Sequence, residues 1–196
     1  MMRSRVTIKE LPIKCLKWLI SSRQRFLNDL KEGKPLRYFS AHLPVVSTWR
    51  KGEYPFPVNM TVKGIGLIPK EEHLQYYIDV FEGTIAQCRG MDWSSSLGKR
   101  IDAMNRLYSK EEHFDSTLLG GLEIFKGTAS KNLLENPYAS LLYVGMSHSH
   151  KGGIEYISFQ VNGEVEILKK DNIYYRFLLS SRKLFEFDKF HIYQPD

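Results

Sequence analysis

The sequence has 196 residues, of which 42% are hydrophobic and 13% are aromatic. This length favours a single domain, and this apolar content is sufficient for a packed core and argues against a disordered chain. The net charge of +6 makes the protein moderately basic. A basic charge favours anionic partners such as nucleic acid or a phosphorylated cofactor, without choosing between them.

Cysteine content and hydropathy predict the compartment. Cys15 and Cys88 are the only cysteines, which is too few for a disulfide framework. The first twenty residues are basic, but Lys14 and Lys17 interrupt their apolar run, which argues against a secretory signal. No run approaches the roughly 20 apolar residues needed to span a bilayer. We therefore expect a cytoplasmic protein that does not enter the membrane.

The first predicted element is an amphipathic helix over about residues 13–32, where apolar residues recur at helical spacing. Gly33 and Pro35 follow it and supply a stop. A basic helix face is usually a solvated surface, and the alternative is a surface that contacts nucleic-acid phosphates. The residues of that basic face are Lys14, Lys17, Arg23 and Arg25.

A β-hairpin is predicted over about residues 43–62, LPVVSTWRKGEYPFPVNMTV. VVST is short and β-branched, RKGE supplies the turn, and YPFPVNMTV resumes an extended segment. Pro55 and Pro57 stand at alternate positions, and a strand with two prolines must lie at an edge or lack ladder bonds on that side.

A helical insertion is predicted next, over about residues 63–117. From about residue 70 the apolar period changes to that of a helix. Gly83 and Gly90 bracket a break that divides the insertion into two helices. The apolar stripes of the two helices are Leu74, Tyr77, Ile78 and Phe81 in the first, and Leu97, Ile101, Met104 and Tyr108 in the second.

The remainder, about residues 118–196, is predicted to be rich in β-structure. GLEIF at residues 121–125 is a candidate strand, and YASLLYV at residues 138–144 is a buried strand by its continuous apolar run. IEYISFQVNGEVEIL alternates on either side of Asn162 and Gly163. An Asn-Gly pair between extended runs predicts a tight turn or a bulge.

Two later segments complete the predicted fold. IYYRFLLSSRKLF fits either a helix or a strand, whereas FEFDKFHIY alternates and is a candidate closing strand. Residues 1–196 are therefore predicted to be one domain with an α+β fold, in which helices are segregated from a small antiparallel barrel or sheet.

Few residues fit a known catalytic or metal-binding motif. The sequence has no G-x-S-x-G nucleophile motif and no phosphate-binding glycine pattern of the P-loop or dinucleotide type. Arg89 stands beside Cys88, but a lone small thiol is more often part of the packing than a nucleophile. His148 and His150 share one loop with no acidic or cysteine partner nearby, so we expect no metal site.

The segment KGTASKN, residues 126–132, is a candidate phosphate site. It places lysines and hydroxyls around the predicted start of a helix. Free backbone N–H groups, hydroxyl donors and an ammonium together can hold a phosphate. The alternative is that Ser130 only caps the helix.

Three stretches, in order, resemble the FMN-binding split-barrel family related to pyridoxamine 5′-phosphate oxidase. VVSTWRKGEYPFPVNMTV looks like that family's opening hairpin. LEIFKGTASKNLLENPYASLLYV is similar to its strand, Ser/Lys turn, short helix, Asn-Pro stop and buried strand. YISFQVNGEVEIL resembles a later strand with a G-x-A/V-E pattern. The three stretches cover about a third of the chain, and the predicted helical insertion separates the first from the second.

This resemblance implies a small antiparallel split β-barrel that binds FMN at the interface of a homodimer. The flavin would exchange hydride with a small-molecule substrate at its N5 atom, while the protein supplies position and electrostatics. No catalytic side chain is implied, and haem is the alternative cofactor. The implied cofactor-binding residues are Lys126, Thr128, Ser130 and Lys131 for the phosphate, and Ser47, Thr48, Pro57, Val58 and Asn59 for the ring.

Two other functions remain open. The first is a nucleic-acid-binding or mobile-element-associated protein without enzymatic activity, which would use the basic first helix together with Arg89, Lys99, Arg100 and Arg106. The second is a scaffold whose middle helices dock a partner through the stripe that contains Leu74. An amphipathic stripe of this kind is more often part of the core.

Overall fold

A computed structural model describes residues 9–34, 41–52, 55–123, 127–148 and 152–185. The described residues form an α+β fold with five α-helices, one short 3-10 turn and two antiparallel sheets. The helices are α1 (Ile13–Lys31), α2 (Glu71–Gln87), α3 (Trp93–Tyr108), α4 (Thr128–Glu135) and α5 (Ile173–Lys183). The strands are β1 (Val45–Trp49), β2 (Val58–Val62), β3 (Ile65–Pro69), β4 (Phe114–Gly121), β5 (Tyr138–His148) and β6 (Ile154–Glu164).

Local chemistry accounts for the ends of several helices. Gly33 has φ 65°, a left-handed conformation that follows the last turn of α1. Asp92 caps α3 by accepting a hydrogen bond from the backbone N–H of Ser95 at 2.8 Å. Asn172 caps α5 in the same way, with Tyr174 N–H as the donor at 2.8 Å. The ambiguous segment that contains α5 is therefore a helix.

The helical core confirms the predicted periodicity. α1 packs against α3, and α2 packs against both α3 and α5. The predicted stripe of α2 is buried, and its four residues are each at most 1% exposed. This burial contradicts the hypothesis that the stripe docks a partner. Its residues are Leu74, Tyr77, Ile78 and Phe81.

The six described strands form two sheets that share no strand. The larger sheet has the order β2-β1-β5-β6, and the smaller one pairs β3 with β4. All described pairs are antiparallel. These strands do not close into a barrel, so the predicted split barrel is not confirmed. The predicted hairpin at residues 43–62 is confirmed as the β1–β2 pair.

Two predicted element boundaries and one predicted turn need correction. The helical insertion also contains β3 and the start of β4, which pair with each other across α2 and α3. β4 ends at Gly121, where the predicted strand GLEIF was to begin, and residues 124–126 lie outside the described part. Asn162 and Gly163 form no turn, because they lie inside β6 opposite Ser140 and Ala139. The candidate closing strand FEFDKFHIY is residues 185–193, and all of it except Phe185 lies outside the described part.

The four-stranded sheet has two faces that differ in burial. Directly paired residues share a face, and neighbours along a strand alternate. On the inner face, Val46, Thr48, Ala139 and Tyr143 are each at most 5% exposed. We call the opposite side the outer face. Val45 and Trp49 lie on it and are partly buried. Its exposed large apolar residues are Val58, Met60, Val62, Tyr138, Leu142, Val144, Met146, Ile154 and Tyr156.

Helix α1 and helix α4 cover the inner face. The Trp18 ring of α1 meets the Tyr143 ring edge-on, with centroids 6.3 Å apart, and lies 5.6 Å from the Phe159 ring. α4 packs against β1 and β2. Among the described helices, none is long and apolar enough to cross a membrane.

Candidate functional site

The structure brings α4 onto the β1–β2 hairpin, so the first two stretches of the resemblance meet. Asn132 of α4 donates from Nδ2 to Thr48 Oγ1 at 3.1 Å. Its Oδ1 accepts a hydrogen bond from Arg50 Nε at 3.3 Å. Thr48 is fully buried and Asn132 is 1% exposed, and a buried amide with both ends satisfied locks the contact in place.

The start of α4 matches the predicted phosphate site in part. Gly127 is the N-cap, and no described side chain caps the helix, so Ser130 is not the cap. The Lys131 backbone N–H donates to Gly127 O at 3.2 Å. The first N–H groups of a helix have no partner inside it and carry its positive dipole end. Thr128 and Lys131 are exposed and Ser130 is partly buried, while Lys126 lies outside the described residues.

The strand residues of the predicted site divide between two faces. Thr48 is paired with Asn59, and both lie on the inner face with α4. Ser47 and Val58 lie on the outer face, away from α4. Pro57 precedes β2, and its carbonyl accepts a hydrogen bond from Arg50 N–H at 3.0 Å. The predicted residues are therefore close along the hairpin but do not all face one space within a single copy of the chain.

Sequence reasoning missed Asn132 and Arg50. Asn132 stands at the end of the segment KGTASKN and Arg50 in the predicted hairpin turn, but no role was assigned to either, because nothing in their spacing links residue 50 to residue 132. Arg50 brings a guanidinium to the side of α4, and Lys51 follows it on the surface. Together with Lys131 these residues give the α4–hairpin junction three positive charges, a favourable setting for an anion.

The described residues give no support to the metal candidate or to the nucleophile candidate. His150 lies outside the described residues, and His148 is described only through its backbone at the end of β5. Within the described ranges, no group of three metal-ligating side chains occurs. Cys88 follows the last residue of α2 and is 2% exposed, which agrees with a packing role.

Arg23 and Arg100, two of the basic residues named in the nucleic-acid hypothesis, make contacts inside the fold. Arg23 Nη1 lies 3.1 Å from His42 Nδ1, and the guanidinium lies over the Phe26 ring at 5.1 Å. Burial, and to a lesser extent the neighbouring Arg23 charge, lower the pKa of His42 to about 3, so His42 is neutral near pH 7. Arg100 is 9% exposed. Of the four basic residues of α1 named in the nucleic-acid hypothesis, Lys14, Lys17 and Arg25 are exposed.

Comparisons of the chain with protein-family models, with curated proteins and with solved structures found no match. The case for a function consequently depends on this chain's own geometry. Within it, the α4–hairpin junction combines a helix N-terminus, hydroxyls and cations, and such a combination recognises phosphate.

Proposed function

We propose that the protein binds FMN at the junction of α4 with the β1–β2 hairpin and acts as a flavin-dependent oxidoreductase on a small molecule. The observation that carries the proposal is the Arg50–Asn132–Thr48 network. It holds α4, through Asn132, against the same hairpin that the resemblance assigns to the ring of the flavin. When bound, the flavin supplies hydride transfer, and the residues of the chain position it.

The fit to the phosphate end of FMN comes from α4. Its first turn offers backbone N–H groups, the Thr128 and Ser130 hydroxyls and the Lys131 ammonium. Hydrogen bonds between ionised partners are about twice as strong as neutral ones, so the lysine contributes more than either hydroxyl. The exposure of Lys131 leaves its ammonium accessible to a ligand from solvent.

The test is an FMN titration followed by quenching of flavin fluorescence. We expect saturable binding by the wild type and an affinity about tenfold lower for Lys131→Ala, the loss of one charged hydrogen bond. Lys169→Ala is the matched control, because Lys169 is also exposed but lies outside α4 and the hairpin. Equal affinity of all three proteins for FMN, or no binding of FMN by the wild type, would contradict the proposal. Absorbance of the purified protein separates flavin from haem.

The proposal also includes a homodimer in which two copies of the chain associate through their outer faces. Nine large apolar side chains there are each between 39% and 83% exposed, and monomers rarely present so large a contiguous apolar array. Glu164 is the only charged side chain at the outer-face positions of the described strands. A charged partner would therefore find few opposite charges on this face. A second copy of this face is also mostly apolar, with Glu164 as its one charge at the described strand positions, and pairing the two copies would bring Ser47 and Val58 into the interface.

Sedimentation equilibrium tests the dimer. We expect the wild type to be dimeric and Val144→Lys to be monomeric, because a lysine in the centre of an apolar interface must lose its hydration. Gln75→Lys, on the exposed face of α2, adds the same charge elsewhere and should remain dimeric. A monomeric wild type at high protein concentration contradicts this part of the proposal without affecting the phosphate site.

A further inference from the structure

The helical side of the molecule contains a cavity of about 310 Å³ between the end of α2, the side of α3 and the end of α5. Three of its lining residues are cationic, one from each of these places: Arg89, Arg100 and Lys183. None of its lining residues is acidic. Its volume lies at the lower end of the roughly 300–1,000 Å³ range typical of small-molecule sites.

Arg100 is the fixed member of this group. Its Nε donates to Ser96 Oγ at 3.0 Å, and its Nη1 donates to the Leu184 carbonyl at 2.6 Å. The guanidinium also lies 6.0 Å from the centre of the Trp93 ring. These contacts orient the guanidinium in advance, and its Nη2 makes no hydrogen bond to any described residue. A planar, pre-oriented guanidinium with donors to spare is suited to binding an oxyanion.

The charge of this cluster is not balanced within the described chain. A buried cation is costly unless an opposite charge accompanies it, and Arg100 has no carboxylate partner among the described residues. Its carbonyl partner, Leu184, is at the end of α5, where the helix dipole supplies roughly half a negative charge. That partial charge cannot balance three full positive charges.

We propose that the α2–α3–α5 cavity binds a phosphate group, either as free phosphate or as part of a phosphorylated small molecule. Arg100 donates from the floor of the cavity, and Arg89 and Lys183, which are exposed, close on the anion from two sides. Ile85 and Met91 add apolar lining, which favours a phosphate that carries a small organic group. This site uses different elements from the FMN site and does not depend on it.

The test is isothermal titration calorimetry with inorganic phosphate, at an ionic strength held constant with chloride. All proteins carry Lys131→Ala, so that the start of α4 contributes little to the signal. We expect saturable binding to the parent and an affinity at least about tenfold lower in Arg89→Ala/Lys183→Ala, since two charged contacts are removed. Arg100 is left intact because its replacement would also remove the contacts that hold the end of α5.

A charge-matched control separates a site from a general effect of charge. Arg25→Ala/Lys99→Ala removes the same two charges from exposed positions that do not line the cavity, and it should bind phosphate like the parent. Absence of saturable binding in the parent, or equal losses in both double variants, would overturn the proposal. Phenyl phosphate distinguishes the two possible ligands. If it binds more tightly than inorganic phosphate, the ligand is a phosphorylated small molecule; if it binds equally or more weakly, the ligand is free phosphate.

Discussion

The two faces of the four-stranded sheet are built from similar residues but have opposite surroundings. Tyr143 on the inner face is 1% exposed, whereas Tyr156 on the outer face is 83% exposed. α1 and α4 cover the first, and no described element covers the second. The difference shows that apolar content along a strand does not by itself identify the side that faces the core, because β5 is apolar on both sides.

The largest expected effect distinguishes these two tyrosines. Tyr143→Ala should lower the free energy of unfolding by about 3–5 kcal/mol, because it leaves a large cavity beside Trp18. Tyr156→Ala should change it by less than about 0.5 kcal/mol, since a side chain already exposed loses little. Urea unfolding at low protein concentration, where any dimer dissociates, measures both. A similar loss of unfolding free energy in the two variants would show that the Tyr156 side chain on the outer face is packed rather than exposed.

A smaller effect distinguishes two glycines of the same sheet. A Cβ on Gly145 would stand 2.6 Å from the Trp18 ring, whereas one on Gly163 meets nothing within 4 Å. Gly145→Ala should therefore destabilise the fold by about 1–3 kcal/mol through overpacking. Gly163→Ala should be neutral or slightly stabilising, because alanine restricts the unfolded chain. Thermal unfolding of the two variants tests this difference, and a stable Gly145→Ala would mean that α1 can move away from β5.

The polar contact beneath α4 should have a comparable or smaller effect. Thr48→Val removes the hydroxyl that accepts from Asn132 and leaves a buried donor unsatisfied, at a cost of about 1–2 kcal/mol. Thr48→Ser retains the hydroxyl and should lose less. Chemical denaturation gives the stability difference, and FMN titration of the same proteins shows whether the start of α4 needs this anchor. If valine were as stable as threonine, the network would not hold α4 in place.

The smallest effect concerns a hydroxyl. Tyr143 Oη is buried and has no hydrogen-bond partner among the described residues, and burial raises the pKa of this phenol well above its usual value. Tyr143→Phe should leave stability unchanged or raise it by up to about 1 kcal/mol. Tyr77→Phe is the control, because Tyr77 Oη lies 2.8 Å from His113 Nδ1 and its loss should destabilise. A clear loss of stability in Tyr143→Phe would indicate a partner for this hydroxyl.

The sequence predicted the elements whose signal is local. The predicted first helix, about residues 13–32, is α1 at Ile13–Lys31, and the two helices after residue 70 are α2 and α3. Their apolar period of 3.6 residues is contained within each segment, so it needs no knowledge of the rest of the fold. The β1–β2 hairpin was predictable for the same reason, because its turn lies within the segment.

Long-range pairing accounts for the errors. β3 and β4 are partners although α2 and α3 separate them in the chain, and no local pattern reports such a pairing. Asn162 and Gly163 have a strong turn propensity, but β5 extends alongside them and pairs with both. The ladder hydrogen bonds and cross-strand contacts outweigh the local preference.

The candidate phosphate site shows the same division. Thr128, Ser130 and Lys131 were found from the sequence because they cluster at one helix start. Arg50 and Asn132 were not, because their contact joins positions 82 residues apart. The α2–α3–α5 cavity likewise joins residues from three helices that sequence spacing cannot relate.

By itself, the sequence determined the helices, the hairpin and the basic balance of charge, because periodicity, turn residues and composition act over a few residues. Only the tertiary structure decided which sheet face is covered, that β3 pairs with β4, and that Arg23 and Arg100 point inward. These features depend on which distant surfaces meet. Burial then changes the role of a residue, so that an arginine expected at the surface becomes an oriented donor inside the fold.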